Sequence, residues 1–447
     1  MLVEFETENW TSFRETAKLT MVATSERQHR ERLAQLPKYE ITILPIASIY
    51  GGNASGKSNL WKAMRFSKQF ILDGTRPDMI IPIEPFNLDN SARSEPVRFG
   101  FRILVNEIIY AYDFAVTREH VESERLARLG KTCETVLYER MQAKIVLHKQ
   151  LPGRERLQIV FDGTRANQLF LTNAVSQNIQ DFRPVYDWFR DKLVLIGPSS
   201  LYEPFEQFFR PDHPLSASVN ELLTRLDTGV SRLGVQEVQI EQIPVLTALK
   251  QELEANLREG AAVRVVSNDD ERYLVRREDH RLHAARLVSF HKDINGDDMQ
   301  FDMSQESDGS RRVIDLAPAF LELANGEAGK VYFIDELDRS LHTLLCRELI
   351  EAYLESCSSK GRSQLIFTTH DVNLMDQQVF RRDETWVTER KRDGETTLYS
   401  FSEFKDVRND KDIRKSYLQG RLGGIPKLLV GGVLAGSAEA QYGNEVD

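Results

Sequence analysis

Cysteine is scarce in this chain. Cys133, Cys346 and Cys357 are the only three in 447 residues, odd in number and far apart. They form no Cys-x-x-Cys pair and no zinc spacing, so reduced thiols in a cytosolic protein are expected. Positive charge is in deficit. Against 68 Asp and Glu stand 58 Lys and Arg, a net charge of -10. That balance does not attract nucleic acid over the whole surface, although a local basic patch remains open to it. Long apolar runs are missing too. The stretch from Leu428 to Gly436 is short and glycine-rich and cannot span a bilayer. The opening residues, MLVEFETENWTSF, are acidic and alternating, unlike the basic start and apolar core of a signal peptide. A soluble, cytoplasmic protein with no membrane partner is expected.

What is present is ordinary globular composition, 41% hydrophobic and 28% charged. The length suits two or three domains, or one large core with an insertion. Residues 2–5 alternate as a strand, and 25–40 read as charged helix or loop. Residues 41–50, ITILPIASIY, form an apolar run that reads as one buried strand feeding a glycine loop. Residues 96–117 hold two alternating runs split by Asn106-Glu107, a hairpin signal. Further strands are predicted near Val136 and Ile159. Leu246, Leu249, Leu253 and Leu257 recur at helical spacing over about two heptads, too few for a long coiled coil. From Phe301 the pattern becomes helix, strand, helix, strand, with VYFID and SQLIFTT as buried-type strands. No internal repeat is visible, and the tail AEAQYGNEVD reads as disordered. The division expected is an N-terminal lobe over 1–202, an inserted helical or mixed arm over 203–293, and a C-terminal lobe over 294–447.

Gly51-Gly52-Asn53-Ala54-Ser55-Gly56-Lys57-Ser58 matches GxxxxGK[ST] at every fixed position. It follows a predicted strand and precedes a predicted helix from Asn59, the context that gives the motif meaning. Glycines let successive N–H groups face phosphates, and the helix N-terminus favours an anion. Lys57 suits the β- and γ-phosphates of ATP, and Ser58 suits Mg2+. VYFIDE ends a second apolar strand in two acids. Asp335 suits the magnesium sphere and Glu336 suits polarising the attacking water, although an acid there can also be a simple helix cap. The long separation of Lys57 from Asp335 implies a lobe inserted between their strands. The Ser-x-Gly-Ser turn at Ser307, Gly309 and Ser310 offers hydroxyls and N–H groups to an anion, or merely caps a helix.

Together these motifs resemble a family. GKSNL, ESDGS (306–310), VYFIDELDRSLH (331–342) and FTTHD (367–371) are similar to the ABC-type ATPases of the Rad50, SMC, RecF and OLD group. The likeness is nearest to stand-alone ATPases of bacterial phage-defence operons, of the RloA, AbiL and AriA type. It extends from the opening VEFETENWTSFRE to the closing SYLQGRLGGIPKL (416–428) and is weakest over 203–293. It implies an α/β fold: an ABC-type P-loop core, an antiparallel β subdomain and an inserted arm. It implies that Gly51, Asn53, Gly56, Lys57, Ser58 and Asn59 hold ATP, with Ser58 and Asp335 on Mg2+. Lys57, Glu336 and His370 would be catalytic, His370 as the switch reading the γ-phosphate. Ser307, Gly309 and Ser310 would contact ATP held by a second subunit, with Asp338 at the seam of that homo-oligomer. Gln177 would be the glutamine at the metal, with Gln168 and Gln180 as competitors.

The resemblance also implies partners. Such ATPases act in abortive infection, holding a toxic effector and releasing it on a phage-encoded trigger protein. For the PARIS-type relatives the effector is a TOPRIM nuclease encoded nearby. No TOPRIM pattern follows His370 here, so a nuclease would act in trans. Two positions depart from the family. NWTSF replaces the frequent NFRSF and puts Thr11 where a basic residue is common. ESDGS replaces the transporter LSGGQ, which argues against a transport subunit. The alternative is a RecF- or Rad50-like DNA-repair ATPase acting directly on DNA. Weaker constellations remain. His280, His283 and His291 could suggest metal but lack an acid or thiol partner. Arg381, Arg382, Lys391 and Arg392 read as a solvated basic turn or a phosphate contact. Trp61, Trp188 and Trp386 read as packing residues.

Overall fold

The computed structural model describes residues 1–198, 214–244, 247–267, 270–326, 329–404, 413–420 and 423–424. Leu246, the arm's first residues 203–213, part of the closing segment 416–428 and the whole tail fall outside the described residues.

The N-terminal half is built on a seven-stranded antiparallel sheet. Its order is Lys144–Leu147, Glu134–Met141, Val121–Leu129, Ile108–Val116, Val97–Val105, Leu2–Glu8, Ala17–Thr20. The predicted hairpin is present, closed by Asn106 and Glu107 at φ 49° and 59°. Two left-handed residues make the turn whose twist matches that of the strands. One face of the sheet receives the helix Lys57–Asp73. Leu60, Ala63, Met64, Ser67, Phe70 and Ile71 recur at helical spacing and are buried. Phe66 stacks on Phe70 and lies 5.3 Å from Phe99 of the sheet, centroid to centroid.

Two strand predictions need correction. Ile159 lies in a helix, Arg154–Asp162. Leu157 and Phe161, four apart, are buried there while Ile159 is exposed, so the period is helical and a short apolar run misled the reading. The run 41–50 is two strands, Ile41–Ile43 and Ile46–Tyr50, in different sheets. Pro45 separates them, because it has no N–H to give to a ladder.

The second sheet has six strands in the order Leu193–Ile196, Val331–Ile334, Gln364–Thr368, Ile46–Tyr50, Thr385–Arg390, Thr396–Ser400. The first five are parallel and the last closes an antiparallel hairpin. The central strands are buried throughout, as parallel strands covered on both faces must be. The helices Asp308–Asn325 and Thr343–Ser356 precede the second and third strands of that order.

Between the two halves lies a mixed segment. Helices Pro214–Arg225 and Thr247–Asn256 accompany a five-stranded antiparallel sheet. Leu249, Leu253 and Leu257 pack against that sheet. Its pairing runs past 293, since Arg281–Lys292 bonds to Asp298–Asp302. Among the described residues no helix is long and apolar enough to cross a membrane.

A buried carboxylate ties the first sheet to its helices. Glu124 is fully buried and accepts the hydroxyls of Tyr112 and Tyr138 and the N–H groups of Phe170 and Leu171. Arg140, also buried, lies 3.7 Å away. Removing Glu124 strands all of these groups. We expect Glu124→Ala to cost about 3–5 kcal/mol of unfolding free energy, read by urea denaturation; a loss below about 1 kcal/mol contradicts that role.

Candidate active site

The P-loop leaves its strand at Tyr50 and enters its helix at Lys57. The turn needs glycine twice. Gly51 has φ 152° and a Cβ there would lie 2.4 Å from Thr388 Oγ1. Gly56 has φ 105° and a Cβ there would lie 2.6 Å from Thr396. Neither position tolerates a side chain. Ser12 braces the loop from outside, accepting from Asn59 Nδ2 at 2.8 Å and Thr396 Oγ1 at 2.8 Å. Part of the closing segment also reaches it, since Gly424 O accepts the Gly52 N–H at 2.8 Å.

Strand pairing delivers the remaining groups. The histidine strand Gln364–Thr368 lies between the P-loop strand and the carboxylate strand Val331–Ile334. Their C-terminal ends therefore meet at one edge, the usual ligand crevice of a parallel sheet. Ser58 Oγ donates to Asp335 Oδ1 at 3.2 Å, and Thr368 Oγ1 donates to the same oxygen at 2.6 Å. Thr368 Oγ1 also accepts the Glu336 N–H at 2.7 Å. Glu336 has φ 52°, a left-handed conformation that costs a non-glycine residue energy and clusters at functional positions. Lys57 Nζ donates to Gly51 O at 2.6 Å and lies 3.3 Å from His370 Nδ1. Asp338 Oδ2 accepts the His370 N–H at 3.1 Å.

These groups surround a cavity of about 650 Å³ that includes the P-loop, Glu336 and His370. Asp335 is buried behind it and offers its carboxylate beside the Ser58 hydroxyl. One hydroxyl and one carboxylate are hard oxygen donors, which suits Mg2+ bound partly through phosphates and water. Thr11 of the opening NWTSF also lines the cavity, together with residues the motifs did not predict: Phe86, Asn87, Leu88 and Arg390. Thr11 N–H is fixed to Glu84 O at 2.7 Å. Arg390 ends the strand that pairs with the P-loop strand and lines the same cavity. The signal was strand order, which no local pattern carries.

Ser307 caps helix Asp308–Asn325, its Oγ accepting the Ser310 N–H at 3.0 Å. Ser307 is exposed, and neither Gly309 nor Ser310 lines the P-loop cavity of the same chain. A Cβ on Gly309 would lie 3.0 Å from Ser340 O, so the helix start packs tightly on the turn after the carboxylate strand. Gln177 is not brought to the site. It ends the helix Phe170–Ser176 and its carbonyl accepts from Arg156 at 2.8 Å. Gln168 is buried with its carbonyl on Arg140, and Gln180 lines a separate cavity. None of the three glutamines lines the nucleotide cavity.

The basic turn also needs correction. Arg381 is fully buried and holds Asp383 and the carbonyls of Glu26 and Gln28. Arg382 pairs with Glu26 and Lys391 with Glu395. Arg381 therefore pins the loop 24–28 to the parallel sheet rather than facing solvent. His291 bonds Glu306 at 2.6 Å, and among the described residues no group of three His, Cys, Asp or Glu is placed to hold a metal. Trp61, Trp188 and Trp386 are buried.

Burial lowers the Lys57 ammonium to about 8, against the pull of Asp335, Asp338 and Glu336. Burial, then Lys57, lowers His370. A triphosphate would restore the Lys57 charge, so its pKa rises on binding. Without nucleotide, Lys57 loses its proton as pH rises through about 8, and binding must then take a proton up. We expect ATP affinity to fall from pH 8 to pH 9.5, with proton uptake on binding seen by calorimetry in buffers of different ionisation enthalpy. Affinity flat across that range contradicts it.

A family model described as "AAA domain, putative AbiEii toxin, Type IV TA system" matches residues 46–376. That span holds the P-loop, the signature turn, the carboxylate strand and His370. No curated protein matches the chain. Among solved structures, the SMC head domain from Thermotoga maritima is similar at 14% identity and a TM-score of 0.36, over 89% of this chain and 98% of that one. The SmcHead bound to the C-winged helix domain of ScpA is similar at 13% identity and a TM-score of 0.41, over 89% and 97%. With a family match over most of its length and a P-loop at the edge of a mainly parallel sheet, the chain is an α/β P-loop fold and belongs to that AAA-domain, AbiEii-like family.

Proposed function

We propose that this protein hydrolyses ATP and uses the cycle as the sensor and scaffold of a bacterial anti-phage system. The observation that carries the proposal is the convergence of Lys57, Ser58, Asp335, Glu336 and His370 at one sheet edge from opposite ends of the chain. Lys57 and the P-loop N–H groups hold the β- and γ-phosphates. Ser58 and Asp335 would hold Mg2+, which neutralises charge developing on the phosphates. Glu336, raised into the cavity by its left-handed backbone, orients the attacking water. His370, held by Asp338 through its backbone, contacts the γ-phosphate. Arg390 and Leu88 flank the base side.

Ser307, Gly309 and Ser310 lie on the same chain but outside its cavity, so we assign them to the ATP of a second copy. The ATPase lobes are then 1–202 and 294–447, with 203–293 as an arm available to partners. Nucleotide state biases the assembly between two arrangements, and an effector is held in one and released in the other. The description of the matching family, with its toxin and Type IV TA system, supports a role in abortive infection. An effector nuclease acting in trans and a phage-encoded trigger complete the scheme. Direct action on DNA is the weaker reading, since the net charge is -10 and Arg381 is spent inside the fold.

Two substitutions test the scheme. Lys57→Ala should abolish ATP binding and Glu336→Gln should bind ATP yet lower turnover by about a hundredfold or more. Both should abolish protection in a plaque assay with the neighbouring gene present. A protective Lys57→Ala variant would overturn the proposal.

A further inference from the structure

A larger cavity than the nucleotide site lies on the other side of the P-loop helix. It measures about 830 Å³ and separates that helix from the sheet of the inserted segment. Among the described residues its walls carry six cationic side chains and three carboxylates. Three of these cations are paired, and one of the pairs is Lys330 with Glu322, a carboxylate outside the walls. Arg190 is paired with Asp187 and Asp191, and Arg272 with Asp315. These pairs fix their heads in place. Arg65 is different. Its guanidinium lies over the Trp61 ring at 5.4 Å, and among the described residues no carboxylate pairs with it. The remaining wall is apolar, with Leu72, Val194, Leu195 and Val266. Val266 is 40% exposed, high for a valine on a strand.

Three hydrogen bonds connect this cavity to the ATPase machinery. Trp61 Nε1 donates to Phe333 O on the carboxylate strand at 3.2 Å. Ile196, in the cavity wall, accepts the Asp335 N–H at 2.8 Å. Arg272 Nη2 donates to Asp315 Oδ2 of the signature helix at 3.0 Å. The P-loop helix itself begins at Lys57 and ends at Asp73, so one rigid element about 25 Å long joins the two cavities.

We infer that this cavity is a second, regulatory binding site for a small phosphate-bearing ligand of the nucleotide class. Cations with fixed heads suit the phosphates, and guanidinium groups accept them in a bidentate fork. The apolar wall and the Trp61–Arg65 pair suit a planar ring. Such a ligand would draw Arg65 toward its phosphates, and Trp61, which lies under Arg65 and bonds Phe333 O, would pass occupancy to the carboxylate strand. The inference rests on the ATPase reading for its regulatory consequence, while the binding itself does not.

The test therefore uses the full chain with Lys57→Ala, in which the P-loop is disabled. ADP is titrated into it by calorimetry. One ADP per chain should bind, and adding Arg65→Glu should weaken that binding about tenfold or more. Adding Arg65→Lys instead should restore most of it. Thermal melts without ligand report whether each variant folds. A Lys57→Ala chain that binds no ADP, or binds it equally well with Arg65→Glu, overturns the inference. Failure of ATP turnover in the wild type would leave this result untouched, so the two readings fail separately.

Discussion

The functional site depends on one arrangement, the parallel pairing of three buried strands. Ile46–Tyr50, Gln364–Thr368 and Val331–Ile334 lie side by side in register, Phe333 opposite Ile366 and Ile366 opposite Ala47. Because the register is fixed, all three strands end at the same edge. Thr368 completes the join by donating to Asp335 and accepting from the Glu336 backbone. A slip of one residue would turn each side chain to the opposite face and scatter the site. Fully buried apolar strands resist that slip, so packing energy in the core sets catalytic geometry at its edge.

The same constraint explains why so much lies between Lys57 and Asp335. A strand pair needs only its two members to fold together, and the chain between them is free to become another body. Here it makes five of the seven strands of the antiparallel sheet that supports the P-loop helix, and then the mixed segment. The aromatic seam of Phe66, Phe70, Phe99 and Phe114 locks the helix onto the first sheet. Arg381 and Asp383 lock the N-terminal loop onto the second. The P-loop helix is also tied to the second sheet, where Trp61 Nε1 donates to Phe333 O.

The chemistry-bearing residues were legible in the sequence because each motif is local. A phosphate-binding turn needs its glycines at fixed offsets, and acids at the end of an apolar strand are visible as VYFIDE. The hairpin at Asn106-Glu107 was legible for the same reason. Ile159 was not, since five apolar or polar residues in a row fit a strand as well as one and a half helical turns. Arg390 and the walls of the base side were hidden, because strand order decides which strand end stands beside the P-loop. Gln177 illustrates the opposite error, in which a residue was assigned by family position and the helix Phe170–Ser176 carries it elsewhere. Arg381 shows a third kind, where a charged residue reads as solvated until its partner Asp383 and the loop 24–28 are seen around it.

The account turns the P-loop from a complete site into half of one, with the exposed Ser307–Ser310 turn as the other half supplied by another copy. The most direct test mixes two inactive variants, Lys57→Ala and Ser310→Arg. In a mixed pair one composite site joins the intact P-loop of one chain to the intact signature of the other. The account predicts that each variant alone is inactive and that mixing them restores ATP turnover to a measurable fraction of wild type. No recovery on mixing, with both variants folded and able to associate, would contradict it.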